Sequence, residues 1–123
     1  MKILKKRIID CKEVLVEEEL NVGDGVTLCY WSDEQPATII EIGPSGKWLK
    51  VQEDKAVRID NNGCYSECQE YEYSRNPNGR IHTFYKTRRK GSTFYTNTGR
   101  STHNDYGIYL ILKFRRKYFD YSF

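Results

Sequence analysis

From Val22 onward, apolar and polar residues alternate in short runs that are separated by residues typical of turns. β-Branched and aromatic residues fill these runs, and such residues favour strands. The runs are VTLCYW (26–31), PATIIEI (36–42), KWLKVQE (47–53), KAVRI (55–59), CQEYEYS (68–74), RIHTFYKTR (80–88), STFYT (92–96) and GIYLILKF (107–114). Turns at such short spacing are typical of a sandwich or a small barrel. We therefore predict an all-β fold, a small antiparallel barrel or sandwich that is SH3-like in its first strands.

Two of the turns carry further information. GPSGK (43–47) looks superficially like a phosphate-binding loop, but it joins two predicted strands and has no Ser or Thr after the lysine. We interpret it as a hairpin turn. NPNG (76–79) also fits a hairpin loop, because Pro77 fixes φ while Asn78 and Gly79 tolerate positive φ. The strands are thus predicted to follow one another as antiparallel hairpins.

The first 21 residues give two conflicting signals. Apolar residues recur at the spacing of a helix, at Leu4, Ile8, Cys11 and Leu15. The β-branched residues Val14 and Val16 instead favour a strand over 13–20. We expect that strand and leave open whether a helix precedes it. The chain is then a single domain, 1–123, made of an extension (1–21) and a β-domain (22–123).

Length and hydropathy indicate one soluble domain. A chain of 123 residues buries roughly two thirds of its unfolded surface without metals or disulfides to hold it together. No leader of the signal-peptide kind is apparent, and the longest apolar run, IYLIL (108–112), is far shorter than the ~20 residues that span a bilayer. We expect a cytoplasmic protein without membrane contact, whose cysteines are reduced thiols.

The charge is distributed unevenly along the chain. Residues 1–74 hold nine Lys and Arg against fifteen Asp and Glu, a net charge of −6. Residues 75–123 hold eleven against two, a net charge of +9. Acidic strands of the first half could pair with basic strands of the second, or the basic residues could form one face that attracts phosphate. The two interpretations are compatible, and both stay open.

The cysteines and histidines form no recognisable site. Cys64 and Cys68 lie four residues apart, but a structural zinc needs a second pair of ligands. The other candidate ligands are scattered singly, at Cys11, Cys29, His82 and His103. No nucleophile elbow or pair of carboxylates accompanies either histidine. We therefore expect no enzyme, no metal and no cofactor.

Aromatic and basic residues interleave four times in the second half, in YEYSR, TFYKTRRK, FYTNTGR and KFRRKYFDYSF. A base can stack on such a ring while guanidinium groups hold the phosphate, so this pattern is typical of nucleotide or nucleic-acid ligands. The alternative is that the rings pack across the sheet as ordinary strand residues.

The chain resembles a family of small bacteriophage and prophage proteins, through VGDGVTLCYWSDEQPATIIEI, VQEDKAVRIDNNGCYSECQEYEYSRNPNGR and the closing RRKYFDYSF. The matching residues are Gly23, Trp31, Ser32, Asp33, Val51, Gln52, Asp54, Arg58, Asp60, Asn62, Gly63, Gln69, Tyr71, Tyr73, Asn78, Gly79, Tyr118, Asp120, Ser122 and Phe123. The resemblance implies a small accessory protein in the cytoplasm of a bacterial host, of the kind that counters host defence.

Together with the rings and arginines, this resemblance suggests a non-enzymatic protein that sequesters a phosphate-bearing, nucleotide-derived signal of the defence system. The candidate ligand-binding residues are Trp31, Tyr71 and Tyr73 for stacking, Arg58, Arg88 and Arg89 for phosphate, and Gln52, Asn62 and Gln69 for hydrogen bonds to base or ribose. One alternative is an anti-CRISPR-like inhibitor of a defence nuclease, or a nucleic-acid-binding module that uses the basic second half. Another is an adaptor that pairs through sheet edges and forms a homo- or hetero-oligomer.

Overall fold

A computed structural model gives the fold, and it describes residues 1–30, 33–60, 69–87, 93–99, 108–115 and 117. Within these residues the chain forms ten strands and one short 3-10 turn, Pro44–Gly46. The strands are β1 (Lys2–Ile9), β2 (Lys12–Glu19), β3 (Gly25–Cys29), β4 (Glu34–Ile42), β5 (Trp48–Glu53), β6 (Lys55–Arg58), β7 (Tyr71–Ser74), β8 (Ile81–Lys86), β9 (Tyr95–Thr96) and β10 (Tyr109–Leu112). The eight predicted strands occur as β3 to β10, which confirms the all-β prediction. No helix in the described segments is long and apolar enough to cross a membrane.

Six of the strands close into an antiparallel barrel, in the order β10–β3–β4–β5–β8–β9. The prediction of a small barrel is thereby confirmed. A bridge between Tyr109 of β10 and Thr96 of β9 closes the seam. Strand β4 is the longest of the six and changes register between Ile39 and Glu41. An irregularity of this kind bends a strand, so β4 can follow the curvature of a closed barrel.

Apolar side chains from all six barrel strands fill the interior. They are Val26, Leu28, Ala37, Ile39, Leu49, Val51, Phe84, Tyr95, Leu110 and Leu112. Strand β3 is buried on both faces, because Thr27 and Cys29 are inaccessible as well. The hydroxyl of Thr27 donates a hydrogen bond of 2.6 Å to the carbonyl of Phe114, which compensates for the burial of this polar group.

The extension is a β-hairpin. The strand expected over 13–20 is confirmed as β2, and the possible helix before it is replaced by β1. Strands β1 and β2 pair from Lys2 opposite Glu19 to Ile9 opposite Lys12. The two connecting residues, Asp10 and Cys11, both have positive φ, of 51° and 60°. A two-residue hairpin loop needs this left-handed backbone to match the twist of its strands.

Only the base of this hairpin packs on the barrel. Ile3 and Leu20 are 2% and 0% exposed and belong to the core, whereas Ile8, near the tip, is 81% exposed. The backbone N–H of Thr93 donates to the carbonyl of Leu4 over 2.8 Å, and the Leu4 N–H donates to Oγ1 of Thr93 over 2.9 Å. The hairpin is therefore held by the packing of Ile3 and Leu20, by the hydrogen bonds at Leu4, and by bonds from Nζ of Lys5 to the carbonyl of Leu112 and from Nζ of Lys113 to the carbonyl of Glu19.

Strands β6 and β7 pair with each other in a separate two-stranded sheet, which we term the ribbon (55–58 and 71–74). The NPNG segment (76–79) leads from the ribbon to β8, which pairs with β5. It does form a turn, since Gly79 N–H bonds to the carbonyl of Asn76 over 2.9 Å, but the predicted hairpin is wrong. Turn residues therefore indicate where the chain changes direction, but they do not determine which strands pair with each other.

The prediction for GPSGK (43–47) is confirmed. This segment joins the paired strands β4 and β5, and the Gly43 N–H bonds to the carbonyl of Trp48 over 2.8 Å. It is the hairpin turn of the barrel and not a loop that opens a helix.

Candidate anion-binding clefts

The ribbon brings three of the predicted site residues onto one face. Arg58 lies opposite Tyr71, and Ala56 lies opposite Tyr73. Directly paired residues of antiparallel strands project to the same side, so Arg58, Tyr71 and Tyr73 share a face. That face is half-buried, whereas Val57 on the other side is 55% exposed. Tyr71 and Tyr73 therefore lie on the same side of the ribbon, and their role in stacking stays a prediction.

Arg58 is engaged with a neighbouring carboxylate. Its Nε donates to Oδ2 of Asp60 over 2.7 Å, and its Nη2 donates to Oδ1 over 3.1 Å. Asp60 also accepts the backbone N–H of Glu70 over 2.9 Å. This pair closes the ribbon at one end, and a phosphate at Arg58 would compete with Asp60 for the guanidinium group.

Gln69 and Gln52 also have partners within the chain. Oε1 of Gln69 accepts the hydroxyl of Tyr71 over 2.8 Å. Nε2 of Gln52 donates to the carbonyls of Pro77 and Gly79 over 3.0 and 3.1 Å, and its side chain is buried. Gln52 thus fixes the turn between ribbon and barrel, and its part in ligand binding stays a prediction. Trp31, Asn62, Arg88 and Arg89 lie outside the described residues.

A second group of charged residues meets at the junction of β5 and β6. Asp54 is at its centre, with a side chain that is 1% exposed. Oδ1 of Asp54 accepts the hydroxyl of Thr38 over 2.7 Å, and Oδ2 accepts Nε of Arg115 over 2.9 Å. Nη2 of Arg115 donates to Oγ1 of Thr38 over 2.9 Å, so the three side chains form a closed ring of hydrogen bonds. The guanidinium plane of Arg115 is therefore fixed.

Two further cations join this group. Nη1 of Arg75 lies 3.9 Å from Oδ1 of Asp54, and Nη2 of Arg75 donates to Oε1 of Gln52 over 3.2 Å. Lys117 donates through its backbone N–H to the hydroxyl of Tyr73 over 2.9 Å, and its Nζ donates to Gln35 over 2.7 Å. Arg75 and Arg115 thus place two cations on the single carboxylate of Asp54, and Lys117 is linked to the group through Tyr73 and Gln35.

These side chains border an open cleft of about 400 Å³, which we term the first cleft. Among the described residues its lining includes Asp54, Tyr73, Ser74, Arg75 and Arg115. The side chains of Arg75 and Arg115 are 50% and 35% exposed, so both guanidinium groups are accessible while the carboxylate that holds them is not. A cleft of this volume is in the range of small-molecule sites, and its accessible charge is positive.

A smaller cleft of about 170 Å³ borders the same arginine and is termed the second cleft. It is lined by Asp24, Gly25, Lys113, Phe114 and Arg115. A Cβ atom on Gly25 would lie 2.5 Å from Nη1 of Arg115, which is too close for any real contact. The missing side chain of Gly25 is what leaves room for the guanidinium group.

The described part of the chain contains no group of three or more His, Cys, Asp or Glu side chains that could hold a metal. Nε2 of His82 lies 2.7 Å from Oε2 of Glu53, and both side chains are largely buried. This histidine has a partner across two barrel strands and lies outside the lining of either cleft. Cys64, Cys68 and His103 are outside the described residues.

Sequence reasoning missed Asp54, Arg75, Arg115 and Lys117 as site residues. Three of them lie in segments where aromatic and basic residues interleave, YEYSR and KFRRKYFDYSF. The signal was thus present, but it could not say which arginines meet. Asp54 lies between two strands in QEDK, and nothing local marks it as the carboxylate that would hold arginines 21 and 61 residues away.

No known protein family, curated protein or solved structure matches this chain. The function must therefore be inferred from the clefts themselves.

Proposed function

We propose that the protein is a non-enzymatic binder of a phosphate-bearing nucleotide and that the first cleft is the binding site. The supporting observation is the arrangement of Arg75 and Arg115 around the buried carboxylate of Asp54. Guanidinium groups pair with phosphate oxygens through charge-assisted hydrogen bonds. Because Asp54 and Thr38 already orient Arg115, little side-chain entropy is lost when an anion binds to it.

Tyr73 is the proposed stacking platform for the base. It lines the first cleft, and its hydroxyl is held by the backbone N–H of Lys117. A fixed ring beside two cations suits a planar, anionic ligand, since stacking on an aromatic side chain contributes about 1–3 kcal/mol per base. Tyr71, on the same ribbon face, would extend this surface.

The biological role that we propose is sequestration of a nucleotide-derived signal of bacterial defence by a phage protein in the host cytoplasm. Its basis is the resemblance of the chain to small phage and prophage proteins, together with a cleft whose accessible groups supply positive charge and a ring. A protein of this kind would act by stoichiometric capture, so its affinity would decide its effect.

Calorimetry with a panel of ADP-ribose derivatives, mononucleotides and cyclic dinucleotides tests the proposal. We expect binding by the wild type and a loss of at least about tenfold in Arg75→Ala, because one charge-assisted contact to phosphate is removed. Arg80→Ala is the matched control, since Arg80 is also an exposed arginine of the basic half and does not line the cleft. Absence of heat with every member of the panel, or equal losses in the two variants, would refute the proposal.

A second candidate function is binding to nucleic acid or to a nuclease complex of the defence system. The net charge of +9 over residues 75–123 favours it. This function predicts an affinity that falls steeply as salt rises, because bound cations are displaced from the phosphate backbone. Gel-shift titrations at low and high salt with single strands, duplexes and a guide-loaded nuclease separate the two candidates. Failure of all of these to bind at low salt would exclude the second one.

A further inference from the structure

Arg115 lies between the two clefts and lines both of them. Its Nε and Nη2 are used by Asp54 and Thr38, each over 2.9 Å. A guanidinium group has five N–H donors, so three remain after these two bonds. They belong to a side chain that borders both clefts, where a ligand that enters both would meet it.

The second cleft repeats the chemistry of the first with other residues. It has an aromatic ring, Phe114, that is 48% exposed, and a cation, Lys113, whose side chain is 32% exposed. Nζ of Lys113 donates to the carbonyl of Glu19 over 2.8 Å and lies 3.9 Å from Oδ2 of Asp24. A ring and a cation beside Arg115 are the same pair of elements that Tyr73 and Arg75 provide in the first cleft.

The backbone around Phe114 is fixed in this position. Lys113 has a φ of 60°, in the left-handed region, and it follows the last residue of β10. The carbonyl of Phe114 accepts the hydroxyl of Thr27 over 2.6 Å. The backbone thus turns at Lys113, directly after β10, and the bond to Thr27 anchors it at Phe114. This holds the half-exposed Phe114 ring next to Arg115.

Gly25 lines the second cleft, and its lack of a side chain leaves room there for Arg115. A Cβ there would lie 2.5 Å from Nη1 and 2.6 Å from Cζ of Arg115. The φ of Gly25 is not in the left-handed region, so its backbone conformation does not demand glycine. The need for glycine at this position comes from the close approach of the guanidinium group.

We propose that the ligand is a dinucleotide, with one base on Tyr73 in the first cleft, the second base on Phe114 in the second cleft, and the linking phosphate on Arg115. This inference rests on the proposed nucleotide binding in the first cleft and adds the second base. The two cleft volumes fit this division of the ligand. The first cleft, of about 400 Å³, admits a nucleoside with its phosphate, and the second, of about 170 Å³, admits little more than a base.

The test compares mononucleotides with dinucleotides under identical salt. Calorimetry is run with AMP, GMP and the 3′,5′-linked linear and cyclic dinucleotides made from adenosine and guanosine. We expect at least one dinucleotide to bind about tenfold or more tightly than its mononucleotide, the gain that one stacked base gives. Phe114→Ala should remove that gain and leave mononucleotide affinity within about twofold.

Phe114→Leu is the companion variant, because it keeps apolar bulk at this position and lacks the ring; it should lose the same gain. Thermal unfolding of both variants checks that the barrel is intact. If every dinucleotide binds no more tightly than its mononucleotide, or if Phe114→Ala weakens mononucleotides equally, the dinucleotide inference is overturned and the first-cleft proposal survives. If neither mononucleotides nor dinucleotides bind, both proposals are overturned.

Discussion

Nε of Arg115 donates a hydrogen bond of 2.9 Å to Oδ2 of Asp54, a residue 61 positions earlier in the chain. The carboxylate is 1% exposed and the arginine side chain is 35% exposed. The pair ties the segment after β10 to the junction of β5 and β6, and it orients a guanidinium group toward two clefts. One interaction therefore serves both the stability of the fold and the geometry of the candidate site.

Asp54→Asn is expected to lower the free energy of unfolding by about 2–3 kcal/mol. The amide keeps the shape of the carboxylate but loses the charge that pairs with Arg115, and one of its polar atoms becomes a donor facing other donors. The cost stays below that of a fully buried pair because Arg115 can turn toward water. Urea unfolding measures it, and Glu72→Gln on the exposed side of the ribbon should change stability by less than about 0.5 kcal/mol. Equal stability of the two variants would contradict the central role of Asp54.

Gly25→Ala is expected to weaken ligand binding and to lower stability through a clash with Arg115. The new methyl group would lie 2.5 Å from Nη1, so the Arg115 side chain must shift and weaken its hydrogen bonds to Asp54 and Thr38, at a cost of about 1–2 kcal/mol. In an Arg115→Ala background the same substitution should be close to neutral, because the atom that it meets is gone. A double-mutant cycle by urea unfolding measures this coupling. Additive effects of the two substitutions would show that Gly25 is needed for another reason.

Tyr95→Phe is expected to change the response of the protein to alkaline pH. Burial raises the pKa of Tyr95 to about 12, and its hydroxyl donates to the carbonyl of Gly46 over 2.6 Å. In the unfolded chain the phenol ionises near pH 10, so the folded state holds the proton more tightly and stability falls as pH rises from about 10 to 12.

The expected slope from this one residue is about 1.4 kcal/mol per pH unit, and Tyr95→Phe should remove it. Burial also raises the pKa of Tyr30, but that contribution is present in both proteins and cancels in the difference. Denaturant unfolding is measured from about pH 9 to about pH 12 in steps of about half a pH unit, which covers the range over which the phenol titrates. Tyr85→Phe, at an exposed position, is the control and should follow the wild type. Parallel curves for wild type and Tyr95→Phe would contradict the prediction.

Ile3→Ala and Ile8→Ala form a matched pair on β1. Ile3 is 2% exposed and belongs to the core, so its truncation should lower the free energy of unfolding by about 2–4 kcal/mol. Ile8 is 81% exposed, so the same chemical change should cost less than about 0.5 kcal/mol. Differential scanning calorimetry of both variants measures the contrast. Similar melting temperatures would mean that the base of the hairpin does not pack on the barrel as described.

Much of the secondary structure could be read from the sequence. The runs from VTLCYW to GIYLILKF became β3 to β10, because strand formation follows local composition and a period of two. The first strand was missed for a local reason as well. Leu4, Ile8 and Leu15 mimic helical spacing, and the loop of the hairpin is Asp10–Cys11, which lacks the Asn-Gly or Asp-Gly signal of a two-residue turn.

The candidate site was harder to predict than the strands. The shared face of Tyr71 and Tyr73 follows from the alternation in YEYS, whereas the position of Arg58 on that face depends on the register between β6 and β7. The segments that carry Arg75, Arg115 and Lys117 are recognisably aromatic and basic, but the arginines predicted to bind phosphate are Arg58 in the first half of the chain and Arg88 and Arg89 in the second. No local pattern distinguishes an arginine that meets Asp54 from one that lies in solvent.

The sequence by itself determined the all-β class, the positions of eight strands and the basic character of the second half, because each depends on neighbouring residues or on simple sums. Only the tertiary structure decided that β6 and β7 form a separate ribbon, that NPNG leads from it to the barrel, and that Asp54 holds Arg115 beside two clefts. Strand pairing and ion pairing across 61 residues depend on which surfaces the closed barrel brings within a few ångströms of each other, and that proximity is a property of the whole fold.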